Sequence, residues 1–321
     1  MSFHKEILRI DCTKEAERIC EFIRQQTLRL KRDGAVIGLS GGIDSALSAA
    51  LCVKALGKDK VFGLMLPDKE SSPQSEEFAV KHAKQLGIRA ETVSITPVLE
   101  AFGTYEKRDA VAKSIFSEFD NTYKLKITLP ADLLNKDSYN FFTLTIVDDK
   151  GNTKSSRLNN AQAKGIIAAT CTKHRTRMMT QYYYAEKMNY FVCGTTNKSE
   201  ALQGLFVKYG DGGVDIEPIA HLFKAQIFQL SEYMGVISEI LQRKPCPDTY
   251  SAPVTDEEWY FRMPYGILDL LLYAWGKKVD ISEVCKVMNL TQDQVDRVFK
   301  DFSNKFNATK HLNEIPPTVG A

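Results

Sequence analysis

The sequence predicts an α/β fold built on a doubly wound parallel sheet, and three observations carry that reading. Short apolar runs recur at "AVIGLS" (35–40), "VFGLML" (61–66), "ETVSI" (91–95) and "YFVCG" (190–194), each with the length of a buried strand. Helical stretches at 44–56 and 73–87 separate the first three runs, so consecutive strands are joined by right-handed parallel crossovers. The first strand also runs directly into a glycine turn, Ser40-Gly41-Gly42, and ligands of such sheets bind beyond the carboxyl ends of the strands.

Taken in order, residues 3–31 read as an amphipathic helix, with Ile7, Ile19, Phe22 and Ile23 spaced among charges and Gly34 suiting the exit after "KRDG". The alternation of strand and helix follows and then breaks at 104–160. There "YKLKITLP", "NFFTLTIVDD" and "KGNT" suggest a strand pair around the turn-forming "DDKGN", without helical periodicity. That segment is expected to be an inserted, hairpin-like element that either covers a pocket or extends a dimer surface. Helix returns at 161–189, the strand 190–194 follows, and the rest is mostly helical: 199–206, 222–234, 265–275, 281–289 and 291–306.

At 321 residues and 44% hydrophobic content, the chain is expected to form one domain over 1–321 carrying the insertion. Its 42 basic and 40 acidic side chains are interspersed, which leaves no electrostatic footprint for nucleic acid. "ISEVCKVMNLTQDQVDRVFKDF" has the outline of a helix-turn-helix, but its second helix is acid-rich and reads as a packing hairpin. Seven cysteines include no CxxC pair, the pattern of reduced thiols. The N-terminus carries charges throughout, and the most apolar stretch, "GILDLLLYAW", is short and contains an Asp. The expectation is a cytoplasmic protein without a membrane span.

Two readings of the turn at 40–45 stand side by side. Gly41 and Gly42 permit a tight turn while Asp44 or Ser45 caps the next helix, or the freed backbone N–H groups and the helix dipole bind a phosphate. The Lys of a P-loop and the GxGxxG fingerprint are both missing. Thr195 to Glu200 follow the strand 190–194 and therefore share the sheet edge with the turn. Asp44 and Glu200 would together offer two oxygen ligands to a Mg²⁺ bridging nucleotide phosphates, although Glu200 taken alone reads better as a first-turn helix acid. In "KYGDGGVD", Lys208, Asp211 and Asp215 stand among three glycines, suited to a tight loop or to a polar ligand. Lys224 is a solvated helix charge or, pointed inward, a counter-charge to phosphate; Arg175 and Arg177 make ion pairs or grip a planar carboxylate.

Together "GLSGGIDSA", "KHRTRMMTQY", "GTTNKSE", "KYGDGGVDIEPI" and the Lys224 helix resemble the NAD synthetase family, within the ATP pyrophosphatases marked by SGGxDS. The match spans roughly 20–102 and 161–250, and the pairing of "GTTNKSE" with "KYGDGGVDI" narrows it to this family. The resemblance implies an adenine nucleotide alpha hydrolase-like sheet and ATP-dependent amidation of deamido-NAD by ammonia, through an acyl-adenylate, with release of AMP and pyrophosphate. By the same resemblance Gly38, Leu39, Ser40, Gly41, Gly42, Ile43, Asp44 and Ser45 cradle pyrophosphate, and Asp44 and Glu200 hold Mg²⁺. Thr195, Lys224 and Cys246 would contact ATP, while Arg175, Lys208, Asp211, Asp215 and His311 would hold deamido-NAD. Asp44, Glu200 and Lys224 are the implied catalytic set. Two departures stand out: Cys246 occupies a usual Ser or Thr position, and Leu312 follows His311 where a Lys is usual. The family also implies a homodimer, with ammonia arriving free or from a separate glutaminase. An adenylating ligase for another carboxylic acid is the alternative; an inactive nucleotide-binding regulator is disfavoured by Asp44, Glu200 and Lys224.

Overall fold

The computed structural model describes residues 2–136 and 140–319; residues 137–139 of the expected insertion lie outside them. The first helix, α1, spans Cys12–Arg29 and not 3–31, because the Asp11 carboxylate accepts the Lys14 N–H and caps it there. Ile7 thus precedes the helix, and Phe3 and Leu8 of the leading segment bury against the C-terminal helices.

Strands β1 (Gly34–Gly38), β2 (Val61–Met65) and β3 (Arg89–Thr92) alternate with helices α2 (Ile43–Leu56) and α3 (Pro73–Leu86). All pairings in this sheet are parallel. The third strand ends at Thr92, where 91–95 was expected, and its residues are exposed because it forms the sheet edge. Alternation across the pleat explains the two cores. Ala35 and Ile37 face α1 and α2, while Val36 joins Leu64, Val192 and Ala185 on the opposite face.

The expectation of a non-helical start to 104–160 fails. Helix α5 (Thr104–Ile115) occupies its beginning, divided from the preceding α4 (Thr96–Phe102) by Gly103 at φ +73°, so neither is long enough to display a clear period. Beyond them come three strands, not a pair: β4 (Lys124–Thr128), β5 (Thr143–Val147) and β6 (Thr153–Arg157), all antiparallel. The β5–β6 turn lies where "DDKGN" placed it, with Asp148 accepting the Lys150 and Asn152 N–H groups. Leu125, Ile127, Leu144 and Ile146 point to one face and bury against Ala112, Ile166, Tyr250 and Val254.

Helix α6 (Asn160–Met188) then leads into β7 (Tyr190–Cys193), which pairs with β1 to give the order β3-β2-β1-β7. Strand order reverses between β1 and β7, the position at which a doubly wound sheet opens a ligand crevice. The remaining helices are α7 (Lys198–Gln203), α8 (Lys224–Tyr233), α9 (Ser238–Gln242), α10 (Tyr265–Lys277), α11 (Ile281–Met288) and α12 (Gln292–Thr309). Val284 of α11 and Val295, Val298 and Phe302 of α12 are buried with Leu268 and Leu271 of α10, so the outlined helix-turn-helix packs as a hairpin. Among the described residues no helix is long and apolar enough to cross a membrane, and all seven cysteines are free thiols.

Candidate active site

The turn after β1 is built by its small residues. Gly41 has φ +72°, and a Cβ there would stand 2.2 Å from the Ser75 carbonyl oxygen, so only glycine fits. The hydroxyls of Ser40 and Ser45 lie 3.1 Å apart, and Ser45 Oγ donates to the Gly42 carbonyl at 3.0 Å. Gly42 caps α2 without any side-chain hydrogen bond, which decides against the capping reading of Asp44 and Ser45. The N–H groups of the first helical turn therefore face the cleft free to meet an anion.

Asp44 is turned across the sheet edge toward β7. Its Oδ2 accepts from Lys224 Nζ at 2.6 Å and its Oδ1 from Asn197 Nδ2 at 2.9 Å. Asn197 caps α7 in a reciprocal capping box with Glu200, whose other oxygen lies 3.3 Å from the same ammonium. Glu200 is thus both the helix-end acid and a member of the ion cluster. Lys224, first residue of α8, is only 2% exposed. Its backbone N–H donates to Ser199 Oγ, and Ser199 in turn donates to buried Asp269, which also accepts the Ala225 N–H. These bonds fix the start of α8 and aim the lysine.

A third acid, Asp256, accepts from the Tyr265 hydroxyl at 2.9 Å and lines the cleft with Asp44, Glu200 and Lys224. Burial pushes the Glu200 carboxyl up to about 8, aided by Asp44 and Asp256 against the opposing pull of Lys224. Burial raises Asp256 and brings Asp269 up to about 6. Burial works against the Lys224 charge, yet Asp44, Glu200 and Asp256 outweigh it and hold the ammonium protonated. Three carboxyls stand around one ammonium, and a divalent cation bound beside them would favour their ionised forms. Among the described residues no three His, Cys, Asp or Glu groups form a closed metal cage. An open pair such as Asp44 and Glu200 suits a Mg²⁺ that keeps waters and takes further oxygens from phosphates.

The cleft encloses about 430 Å³ and is lined by Gly38, Leu39, Ser40, Gly42, Ile43, Asp44 and Ser45 from the turn, with Thr195, Glu200, Lys224 and Cys246 from other elements. Gly41 lies beneath the turn, its carbonyl accepting from Arg243 at 3.4 Å. Arg243 also donates to Ser75 Oγ and to Cys246 Sγ, and burial pushes the Cys246 thiol up.

The expected dinucleotide contacts divide. Asp211 lines the cleft, its carboxylate accepting the Val207 N–H at 2.9 Å with His174 Nδ1 at 3.3 Å; these outweigh burial and hold it below the usual carboxylate range. Arg175, Lys208, Asp215 and His311 are not part of the cleft wall. Arg175 donates to the Lys208 carbonyl, and Lys208 Nζ reaches the carbonyls of His311 and Glu314 at 3.0 Å, so three of them meet at the C-terminal tail. Asp215 accepts from the Val192 N–H and the Tyr182 hydroxyl. Sequence reasoning missed Asn197, Asp256 and Asp269. Asn197 had a visible signal as the N-cap three residues before Glu200, whereas the two aspartates lie far along the chain with no motif around them.

A family model described as NAD synthase matches residues 15–123 and 131–312. The NH(3)-dependent NAD(+) synthetase of Mesorhizobium japonicum is 41% identical over 311 residues, 97% of each chain. That of Thermotoga maritima is 40% identical over 267 residues, 83% of this chain and 89% of its own. In fold, the chain is similar to the NMN synthetase of Francisella tularensis (TM-score 0.67, 24% identity, 97% of this chain and 100% of the other). It is also similar to the NH3-dependent NAD synthetase of Campylobacter jejuni (TM-score 0.64, 22% identity, 96% and 99%). With sequence relatives at this identity over nearly the whole length, and a cleft at the sheet's switch point to match the fold, the chain belongs to the NAD synthase family.

Proposed function

We propose that this protein is an ammonia-dependent NAD synthetase that uses ATP and Mg²⁺ to amidate deamido-NAD. The observation that carries the reading is the Lys224 ammonium held between Asp44 and Glu200 beside an uncapped, glycine-bounded helix N-terminus. In the first step a carboxylate oxygen of deamido-NAD attacks the α-phosphorus of ATP; the bond to the bridging oxygen breaks and pyrophosphate leaves with its electron pair. In the second, the ammonia nitrogen attacks the acyl carbon, AMP departs, and the nitrogen gives up its surplus proton to solvent.

No protein nucleophile is needed. The N–H groups at 43–45 and Lys224 offset charge on the departing pyrophosphate, and Thr195 and Cys246 border the nucleotide. Mg²⁺, when bound by Asp44 and Glu200, neutralises phosphate charge. Asp211 meets deamido-NAD from the cleft wall, while Arg175, Lys208, Asp215 and His311 hold the dinucleotide outside it. The protein acts as a single unit with 104–160 as an excursion from it, works in the cytoplasm as a homodimer, and takes ammonia free or from a separate glutaminase. Exposed Met179 and Tyr183 on α6, with Phe102 and Val98 on α4, support an apolar subunit contact.

The test is product analysis with ATP, ammonia, Mg²⁺ and deamido-NAD. Equimolar NAD, AMP and pyrophosphate is the expected result. Stoichiometric ADP, or AMP release driven only by another carboxylic acid, replaces this reading with that of a different ligase.

A further inference from the structure

Beneath the cleft lies a buried ion network that the mechanism above does not use. Lys173 of α6 is 1% exposed, and its ammonium reaches Asp68 at 3.2 Å and Glu70 at 2.8 Å on the loop after β2. The same ammonium donates to the Thr249 carbonyl at 3.0 Å, on a different loop. Arg108 of α5, 4% exposed, pairs with Glu70 at 2.5 Å and Asp109 at 2.7 Å but makes no bond to the second loop. Burial opposes ionisation of Glu70, yet Arg108 and Lys173 outweigh it and hold the carboxyl below its ordinary range.

Both loops are walls of the cleft. Leu66, Pro67, Ser71 and Ser72 contribute from one, and Cys246, Asp248 and Thr249 from the other. A second tie joins them directly, the Ser72 N–H donating to Asp248 Oδ1 at 3.3 Å. The second loop is bonded in turn to the glycine turn through Arg243. Burying an ammonium is costly unless its partners are complete, and here completeness requires both loops to be in place at once. We propose that Lys173 is a positioning residue for the nucleotide: by bonding both walls from below, it sets the width of the cleft in which ATP lies. The proposal rests on the assignment of this cleft to ATP.

Lys173→Met and Arg108→Met both remove one buried cation from the same network, so both are expected to lower the melting temperature. Of the two, only Lys173→Met cuts a bond to the second wall. Steady-state kinetics well below melting are expected to show its KM for ATP raised tenfold or more, with kcat and the KM for deamido-NAD changed less than threefold. Arg108→Met is expected to keep its KM for ATP within threefold of the unsubstituted protein. Should Lys173→Met fail to fold, Asp248→Gly cuts the other tie without stranding a buried charge and suits the positive φ of 44° there; its KM for ATP is expected to rise at least threefold. Equal effects of the Lys173 and Arg108 variants on this KM, or none from Lys173→Met and Asp248→Gly, overturn the proposal. An unsubstituted protein that does not turn over ATP would instead overturn the assignment of the cleft.

Discussion

Replacing Glu200 with Gln tests the electrostatics of the site. Burial, with Asp44 and Asp256 nearby, holds this carboxyl at about 8 against an ordinary 4.5. A carboxyl raised in the folded state is protonated there while the unfolded chain is ionised. Its penalty is therefore absent below pH 4.5, grows as pH rises, and is fully developed above about pH 8. At about 1.4 kcal/mol per pH unit, and allowing for the half-titrated state at the upper limit, the penalty grows by about 2 kcal/mol between pH 6 and pH 8. Gln keeps the shape of the protonated acid and has no such term. Urea unfolding of both proteins at the two pH values, without nucleotide or metal, is expected to show the variant gaining about 2 kcal/mol relative to the unsubstituted chain on going to pH 8. NAD formation by the same variant is expected to be lost, since neutral Gln is a poor ligand for a divalent cation. An unchanged stability difference across the two pH values refutes the burial argument, and near-normal turnover leaves Glu200 as a helix-capping acid only.

Asp44→Asn is expected to lower kcat by about 10² or more and also to lower the melting temperature, because it keeps the shape but leaves the buried Lys224 ammonium without the charge of its 2.6 Å partner; circular dichroism melts and AMP release check both halves. Gly41→Ala forces a Cβ to within 2.2 Å of the Ser75 carbonyl oxygen at a positive φ, so a loss of about 1–3 kcal/mol in urea unfolding and weakened ATP binding by calorimetry are expected. Phe142, just before β5, lines the cleft, so Phe142→Ala is expected to raise a substrate KM and leave the mass seen by light scattering unchanged; a change of mass instead assigns the excursion to the subunit contact. Leu312→Lys restores a cation beside His311 and is expected to lower the KM for deamido-NAD by roughly tenfold, the worth of one charge-assisted hydrogen bond of about 1–2 kcal/mol; an unchanged KM removes the tail from the dinucleotide site.

What the sequence determined by itself was local. Apolar runs of strand length separated by helical periods are enough to specify parallel crossovers, and "GLSGGIDSA" announces a turn that only glycine allows at position 41. Asp44 and Glu200 were legible as a pair because both follow strands and so share an edge. The segment 96–115 was not legible, since Gly103 cuts its helical signal into two short pieces. β3 was misjudged as buried because apolar content alone does not distinguish an edge strand from a central one. The tertiary structure decided the rest. Lys224 taken alone reads better as a solvated charge, until the packing of α8, held by Asp269 from α10, turns it between two carboxyls. Asp256 carries no local pattern, and Lys173 opens "KHRTRMMTQY" with no sign that it is buried, because a buried charge is defined by the partners folding brings to it. For Lys173 and Lys224 those partners lie 24 to 180 residues away, and only the strand order β3-β2-β1-β7, with the C-terminal helices packed beside it, sets them within hydrogen-bonding distance.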